Sequence, residues 1–440
     1  MSSLEIGIWS FPILMVLIFI RIPIGLSMLI TGFVGSFLIG DNWLPILAKF
    51  KNETYSTFSS YSLTIIPLFL LMGQFARLGG MSQALFKAAE TWMGHKKGGV
   101  AMAAIGACAG FGAICGSSLA TAATMGQVAL PELKRYGYSG KLATGTLAAG
   151  GTLGILIPPS FVLVIFAILT EQNIAKLFIA ALVPGLLAAV GYIIAISIYV
   201  RIYPESAGSR ERAPYSERFK ALLEVWPVLA IFLIVVGGIY MGIFTPTEGA
   251  AVGAAGTGIL ALLNGGLTKE TLMDSILETA ASTGMIFFIV FGASIYNGFL
   301  ALSQVPQEVA EWVVMLGLNP WMILTIILII YMVLGCVMDS LSMILLTIPI
   351  FFPIVSVLDF GLSPDEFAIW FGVLVLIVVE VGLITPPVGM NLFVINSMAK
   401  ETKLSDTFRG VIPFITSDLI RTIILVIFPS ITLFLMRWLY

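Results

Sequence analysis

The sequence predicts an all-α polytopic membrane protein made of two inverted-topology repeats, and three observations support that fold class. Of the 440 residues, 59% are hydrophobic and 10% are charged, whereas soluble domains average about 25% charge. Apolar runs of roughly 20 residues, long enough to cross a bilayer, recur along the whole chain. In addition, several short motifs occur twice, in the same order, in the two halves of the chain.

The composition also argues against some functions. A net charge of -2 and an isoelectric point near 5.6 give no sign of a clustered basic face, so we expect no nucleic-acid partner. The three cysteines lie in apolar segments without the spacing of a metal site, and we interpret them as small buried side chains. The single histidine, His95, adjoins two lysines and is expected in a solvated loop.

The internal repeat is clearest around two diproline motifs. GILIPPS at residues 154–160 aligns with GLITPPV at residues 382–388. Upstream, Ser118-Leu119 aligns with Ser340-Leu341, and a proline follows each leucine at the same interval. The shared order of these features indicates that the second half repeats the first.

We therefore predict repeats at about residues 1–200 and 221–440, joined by a polar linker at 201–220. Each repeat is expected to contain scaffold helices, a re-entrant helical hairpin and a helix broken by a diproline. The predicted hairpins and broken helices lie at about residues 98–133 and 142–170 in the first repeat, and at about 321–356 and 366–398 in the second.

Basic residues flank only one of the two predicted hairpins. Because lysine and arginine in short loops mark the cytoplasmic side, this asymmetry indicates orientation. No basic residue occurs between Lys269 and Lys400, a stretch that contains the second hairpin. The first hairpin is flanked by Lys96, Lys97, Lys134, Arg135 and Lys141. The hairpins should enter from opposite faces, with the linker in the cytoplasm and both termini outside. Lys49 and Lys51 disagree, because the same count puts them outside.

The diproline motifs should break a membrane helix, since proline removes a backbone hydrogen bond and clashes with the preceding turn. Such a break frees carbonyls, which can bind a cation, and creates a helix start, which attracts an anion. A structural kink is the alternative for either pair alone. The small, polar segment GFGAICGSSLATAATMG suggests a hairpin tip that packs against protein, because exposed non-helical backbone is costly in lipid.

Five polar side chains in the apolar segments are further candidates. Ser117, Ser118 and Ser340 could be ligands, or could bond only to their own helices. Asp339 and Glu380 are costly in a membrane and are functional candidates by default; Asp339 could bind a cation or pair within the hairpin. By contrast, the acid in FTPTEGAAVG, Glu248, follows a proline at a helix start and is interpreted as a structural cap.

Six segments in order resemble the large membrane subunit of tripartite ATP-independent periplasmic (TRAP) transporters. They are GSSLATAATMG, GGTLGILIPPSFVLV, LFIAALVPG, PTEGAAVGA, MDSLSMILLTIPIFFPI and GLITPPVGMNLFVI. The resemblance implies an elevator-type secondary transporter, not an enzyme, in the bacterial inner membrane. It would import an organic anion such as a C4-dicarboxylate or a sialic acid, driven by two or more sodium ions. Its implied partners are a periplasmic substrate-binding protein and a small four-helix membrane subunit on a separate chain.

The resemblance also implies where the ligands would bind. One sodium site would lie between the first hairpin tip and the first break, at Ser117, Ser118, Gly154, Ile157 and Pro159. The other would lie between the second tip and the second break, at Gly335, Asp339, Ser340, Gly382, Thr385 and Pro387. The anion would lie between them, near Ser118, Ser340, Thr385, Pro158 and Pro386.

Three other functions compete with this interpretation. A stand-alone sodium:dicarboxylate symporter would share the inverted repeat but need no partners. An intramembrane hydrolase would need Asp339 and Glu380 around a shared water. A channel would not require its two sides to close in turn.

Overall fold

Every regular element in the computed structural model is helical, over the residues that it describes, 2–315 and 317–440. The first half opens with α1 (Ser3–Phe19), α2 (Ile24–Gly40), α3 (Trp43–Phe58), α4 (Ile65–Leu78) and α5 (Met81–Met93). It continues with the hairpin α6 (Gly99–Cys115) and α7 (Ser118–Arg135), the bent pair α8 (Gly140–Leu156) and α9 (Phe161–Leu169), and α10 (Ile174–Ile202). The bend between α8 and α9 measures 46°.

The second half follows nearly the same order of helices. It opens with α11 (Tyr215–Tyr240), α12 (Pro246–Leu263), the long α13 (Lys269–Ser303) and α14 (Val305–Met315). Its hairpin is α15 (Pro320–Gly335) and α16 (Ser340–Ser356), its interrupted helix is α17 (Pro364–Leu383) and α18 (Met390–Met398), and α19 (Leu404–Ile427) and α20 (Pro429–Leu439) complete it. The prediction of an all-α fold is confirmed, whereas the repeat boundaries and the elevator motion stay predictions.

The helices are those of a multi-pass membrane protein. In the described part of the chain, five are long and apolar enough to span a membrane, or seven if each of two bent pairs is one span. Among these five helices α17 is the most enclosed, because 94% of the residues in its most apolar stretch are buried, compared with 33% for α11 and for α19. Helix α17 therefore lies inside the helix bundle, whereas α11 and α19 each expose an apolar side.

The two halves are interlocked by reciprocal helix contacts. Helix α2 packs along α13, and α4 packs along α12. Glycines allow the first of these close approaches, since Gly25 of α2 meets Gly292 of α13 backbone to backbone. Near the centre, α9 packs on α16 and α18 packs on α7. The second helix of each hairpin is therefore held by the broken helix of the other half.

Helix α3 is less apolar than α1 and α2. It joins α4 with a bend of 51°, and it contains the two lysines that disagreed with the charge rule. Lys49 lies over the backbone of Gly298 in α13, whereas Lys51 is exposed. The side of the membrane on which these lysines lie stays untested.

The interpretation of Glu248 as a cap is confirmed. Its carboxylate accepts the backbone N–H of Thr245 at 2.8 Å, and the Thr245 hydroxyl accepts the backbone N–H of Glu248 at 3.2 Å. This capping box starts α12 with a proline at its first turn, so Glu248 serves the helix start.

Candidate functional site

The first hairpin tip is a two-residue turn between α6 and α7. Gly116 ends α6 with a φ of +66°, a left-handed conformation that glycine adopts without a Cβ clash. Ser117 then caps α7, because its hydroxyl accepts the backbone N–H of Ala120 at 3.4 Å. Ser118 is the first residue of α7 and is buried.

This tip lies directly against the first diproline break. A Cβ added at Gly154 would lie 2.7 Å from the Ser117 carbonyl oxygen, and one added at Gly112 would lie 2.6 Å from the Gly154 Cα. At the turn, a Cβ on Gly116 would lie 3.4 Å from the Pro159 carbonyl oxygen. The glycines are therefore required for backbone contact, and they bring the tip and break carbonyls together.

The second tip and break meet in the same way. A Cβ added at Gly382 would lie 2.6 Å from the Gly335 Cα, so α15 and α17 touch backbone to backbone. The N–H of Gly389 donates to the Cys336 carbonyl at 3.1 Å, which fastens the end of the break to the tip. Gly389 has a φ of +66°, and a Cβ there would lie 3.2 Å from the carbonyl oxygens of Leu383 and Thr385.

Four helix starts therefore meet in the middle of the molecule, two from each half. Those of α7 and α16 begin at the hairpin tips, and those of α9 and α18 follow the breaks. The start of a helix presents unsatisfied N–H groups and a partial positive charge, which favour an anion. This arrangement provides carbonyl oxygens for cations and N–H groups for an anion within one region.

Two predicted site residues use their side chains locally. The Asp339 carboxylate accepts the N–H of Ser342 at 3.0 Å, so it caps α16. The Thr385 hydroxyl donates to the Val381 carbonyl at 2.6 Å, within its own helix turn. Ile157 closes α8 and packs against α10, where a Cβ on Gly185 would lie 3.0 Å from its side chain. These residues can still offer backbone carbonyls at the tip and breaks.

Two buried oxygens at the first tip lack a hydrogen-bond partner among the described residues: Thr121 Oγ1 and Asn391 Oδ1. A Cβ on Gly151 would lie 3.1 Å from both the Asn391 amide nitrogen and the Ser118 carbonyl, so Asn391 reaches the first tip from α18. An orphaned buried acceptor is costly unless something occupies it. These oxygens, beside the tip carbonyls, fit a hard cation such as sodium.

Both residues were missed at the sequence level. Thr121 is three residues after Ser118, on the same helix face, which is a signal that the sequence offers. Asn391 belongs to the repeated diproline segment, but its counterpart by alignment is Leu163, so the repeat gives no reason to select it. Its role depends on the packing of one half against the other.

Glu380 lies between the two tips, and its carboxyl group accepts a hydrogen bond from each of them. The Ser340 hydroxyl donates to Glu380 Oε1 at 2.6 Å, and the Ser118 hydroxyl donates to Glu380 Oε2. Glu380 is only 1% exposed. Its side chain is thus committed to the serines while Asp339 caps a helix, an arrangement that gives no support to a paired-acid hydrolase.

Comparisons with known proteins agree with the geometry. The family described as tripartite ATP-independent periplasmic transporter, DctM component, matches residues 11–431. A C4-dicarboxylate TRAP transporter large permease of Pseudomonas aeruginosa is 38% identical over 388 residues, covering 88% of this chain and 89% of that protein. A sialic acid TRAP transporter permease of Haemophilus influenzae is 31% identical, covering 96% of this chain and 66% of that protein.

Two further matches extend the comparison. An ectoine/5-hydroxyectoine TRAP transporter large permease of Ruegeria pomeroyi is 29% identical and covers 97% of each chain. The crystal structure of the YdaH transporter of Alcanivorax borkumensis superposes with a TM-score of 0.65 over 90% of each chain at 14% identity, which shows a shared fold. With its helical hairpins, diproline breaks and nearly full-length match, this chain belongs to the DctM component family of the tripartite ATP-independent periplasmic transporters.

Proposed function

We propose that this chain is the large permease subunit of a TRAP transporter that imports a small organic anion together with sodium ions. The observation that supports this most is the contact of each hairpin tip with the break of its own half, at Gly154 and at Gly382. Each contact gathers main-chain carbonyls in a buried region, and such carbonyls are the usual sodium ligands of transporters with broken helices. The two contacts give two places for sodium.

The first sodium site would use the backbone of Ser117, Gly154, Ile157 and Pro159 and the hydroxyl of Ser118. The second would use the backbone of Gly335, Asp339, Gly382 and Pro387 and the oxygens of Ser340 and Thr385. We add the orphaned oxygens of Thr121 and Asn391 to the first site, since both are buried next to it. Bound sodium supplies positive charge beside the anion, so each ligand strengthens binding of the other.

The anion would bind between the sodium sites, where the four helix starts converge. Ser118, Ser340 and Thr385 would offer hydroxyls, and Pro158 and Pro386 would shape the breaks that precede α9 and α18. Relatives are described as transporters of C4-dicarboxylates, sialic acid and ectoine. All three compounds contain a carboxylate, which is the chemistry that helix N-termini favour. We therefore propose a small carboxylate as the substrate.

The proposed partners are a periplasmic substrate-binding protein, which would deliver the anion, and a small four-helix membrane subunit. The chain would lie in the bacterial inner membrane with both termini in the periplasm. The hairpins and broken helices would form a mobile transport domain that moves against the remaining helices as an elevator. The family match supports these partners and this location.

Ion pairs between distant segments of the chain support the proposed orientation, since each joins residues that the predicted topology puts on the same side. They are Lys134–Glu401 at 2.7 Å and Lys141–Asp406 at 3.4 Å on the cytoplasmic side, and Lys176–Asp365 at 2.6 Å and Arg437–Glu366 at 2.7 Å on the outer side. Such exposed pairs add little stability, but they record which chain segments are neighbours.

The test is uptake into vesicles that contain the chain with its small subunit, supplied with the binding protein. Radiolabelled succinate, sialic acid and ectoine serve as three probes, each with an inward gradient of sodium or of potassium chloride. We expect uptake of one probe that requires sodium and the binding protein. Equal uptake in potassium would exclude sodium coupling. Sodium-driven uptake without the binding protein would instead indicate a stand-alone symporter.

A further inference from the structure

Glu380 accepts hydrogen bonds from equivalent residues of the two hairpins. Ser118 is the first residue of α7 and Ser340 is the first residue of α16, so each serine starts the second helix of its hairpin. Both hydroxyls donate to the same carboxyl group, one to each oxygen. The two tips therefore share one acceptor that belongs to α17, the most enclosed of the membrane-spanning helices.

The first half has no equivalent of this carboxyl group. Glu380 comes two residues before Gly382, and Thr152 comes two residues before Gly154. The Thr152 hydroxyl donates to the Ala149 carbonyl at 2.7 Å and lies 3.0 Å from the Tyr192 hydroxyl, so these hydrogen bonds involve neither tip. The link between the tips is therefore supplied by one half only.

Asp418 and Arg421, the charged residues near Glu380, pair with each other and not with Glu380. Arg421 of α19 pairs with Asp418 at 2.9 Å, and the Tyr192 hydroxyl donates to Asp418 at 2.6 Å. Arg421 also donates to the Pro184 carbonyl at 3.4 Å. In the described part of the chain, no lysine, arginine or histidine nitrogen lies within 4.0 Å of a Glu380 oxygen. Among the described residues, its carboxyl group accepts hydrogen bonds from the two serine hydroxyls alone.

The direction of these bonds matters for cation binding. A hydroxyl that donates its proton keeps its lone pairs on the other side. Glu380 therefore fixes the rotation of both hydroxyls and leaves their lone pairs free for a cation. Because the two hydroxyls share one carboxyl group, a shift of one tip moves or repolarises that group and so changes its bond to the other tip.

We propose that Glu380 is a positioning residue that couples the two hairpin tips, so that the two sodium sites fill cooperatively. This inference rests on the proposed function, because it assumes that both tips bind sodium. It adds the residue that makes the two sites act as one unit. Removing the Glu380 carboxyl group should separate the sites while leaving each hairpin folded.

The experiment is equilibrium binding of ²²Na⁺ to the purified chain, with the Hill coefficient as the readout. We expect a coefficient between 1 and 2 for the natural chain, and close to 1 for Glu380→Ala, with sodium affinity at least tenfold weaker. Glu380→Gln keeps the length of the side chain and one accepted bond, and should recover part of the affinity. The control is Thr347→Ala, which removes a buried hydroxyl of α16 that donates to the Met343 carbonyl of the same helix.

A double-mutant cycle keeps the inference testable if Glu380 variants fold poorly. We expect Ser118→Ala and Ser340→Ala together to weaken sodium affinity by less than the product of their separate effects, because either change alone already breaks the coupling. If the two serine effects multiply, or if Glu380→Ala has the same Hill coefficient as the natural chain, this inference is overturned and the proposed function is not affected. Absence of any saturable sodium binding by the natural chain would instead overturn the proposed function.

Discussion

The two diproline breaks share the pattern Gly-x-x-x-Pro-Pro but have different surroundings. In the first half, every residue from 151 to 160 is buried, including both prolines and Ser160, which caps α9. In the second half, Pro386 and Pro387 are exposed, and Thr385 is half-buried. The tips differ in the same sense, since Val337 of the second tip is exposed while Gly116 of the first is buried.

This difference shows that a repeated motif does not fix its environment. The break side of the first contact is buried, and both α10 and Asn391 of the other half pack against it. The second is held mainly by its own hairpin through Gly335 and Cys336. We infer that the first site is preformed and that the second is the one whose ligands can rearrange.

The largest expected effect comes from adding a methyl group at either contact. Gly154→Ala and Gly382→Ala each place a Cβ less than 3 Å from backbone atoms of the tip, so the tip must move away. Overpacking of this kind costs about 1–3 kcal/mol where the structure cannot adjust. We expect sodium-driven uptake to fall more than tenfold in both variants, and folded yield to fall more for Gly154→Ala, because its surroundings are enclosed.

Gly106→Ala and Gly284→Ala are matched controls, since an added Cβ at either position meets no atom within 4 Å. Both should keep uptake and yield near those of the natural chain. If Gly154→Ala behaves like Gly106→Ala, the tip does not need its contact with the break.

The next effect concerns Asn391, which connects the halves. The Asn391 Nδ2 donates to the Ala148 carbonyl at 3.3 Å, and its Oδ1, near the first tip, has no hydrogen-bond partner among the described residues. Asn391→Leu removes a proposed ligand of the first site, together with a hydrogen bond to the Ala148 carbonyl that typically contributes about 0.5–1.5 kcal/mol. We expect sodium affinity to fall roughly tenfold, since about 1.4 kcal/mol changes a binding constant tenfold.

Asn396→Leu is the control for this change, because it alters the other end of the same helix, where Asn396 accepts the hydroxyl of Thr407 at 3.0 Å. Sodium affinity should stay within about twofold of the natural value. Equal losses in both variants would show that Asn391 only stabilises α18.

A smaller effect should separate the breaks by thiol accessibility. Thr385→Cys and Ile157→Cys place a thiol at the half-buried second break and at the buried first break. A water-soluble maleimide should label the first variant at least tenfold faster, and sodium should slow that labelling. The natural chain is the blank, because Cys108, Cys115 and Cys336 are buried. Equal labelling of both variants would remove the distinction between an enclosed and an open break.

The smallest effect is expected for Asp339→Asn. Asparagine caps a helix about as well as aspartate, so α16 keeps its start. If Asp339 serves the second site only through its backbone, sodium affinity should change less than threefold. Asp339→Ala, which removes the cap, should lower stability by about 1 kcal/mol. A tenfold loss of sodium affinity in Asp339→Asn would show that the carboxylate itself binds the ion.

Much of the fold was predictable from the sequence because apolar length and proline position are local signals. The hairpins, the breaks and the cap at Glu248 follow from residues within one segment. The contacts of Asn391 and Glu380 did not, because each depends on how the halves pack. Glu380 was selected as a functional candidate because an acid is costly in a membrane, but nothing in its segment indicates that serines 262 and 40 residues away donate to it.

The most direct test of the central claim is the number of sodium ions bound at saturation. We predict that the purified natural chain binds at least two ²²Na⁺ ions at equilibrium, and that Gly154→Ala and Gly382→Ala each bind one fewer. Gly106→Ala should bind the natural number. Saturable binding of the same number of ions in all four chains, or no saturable binding in the natural chain, would contradict the account.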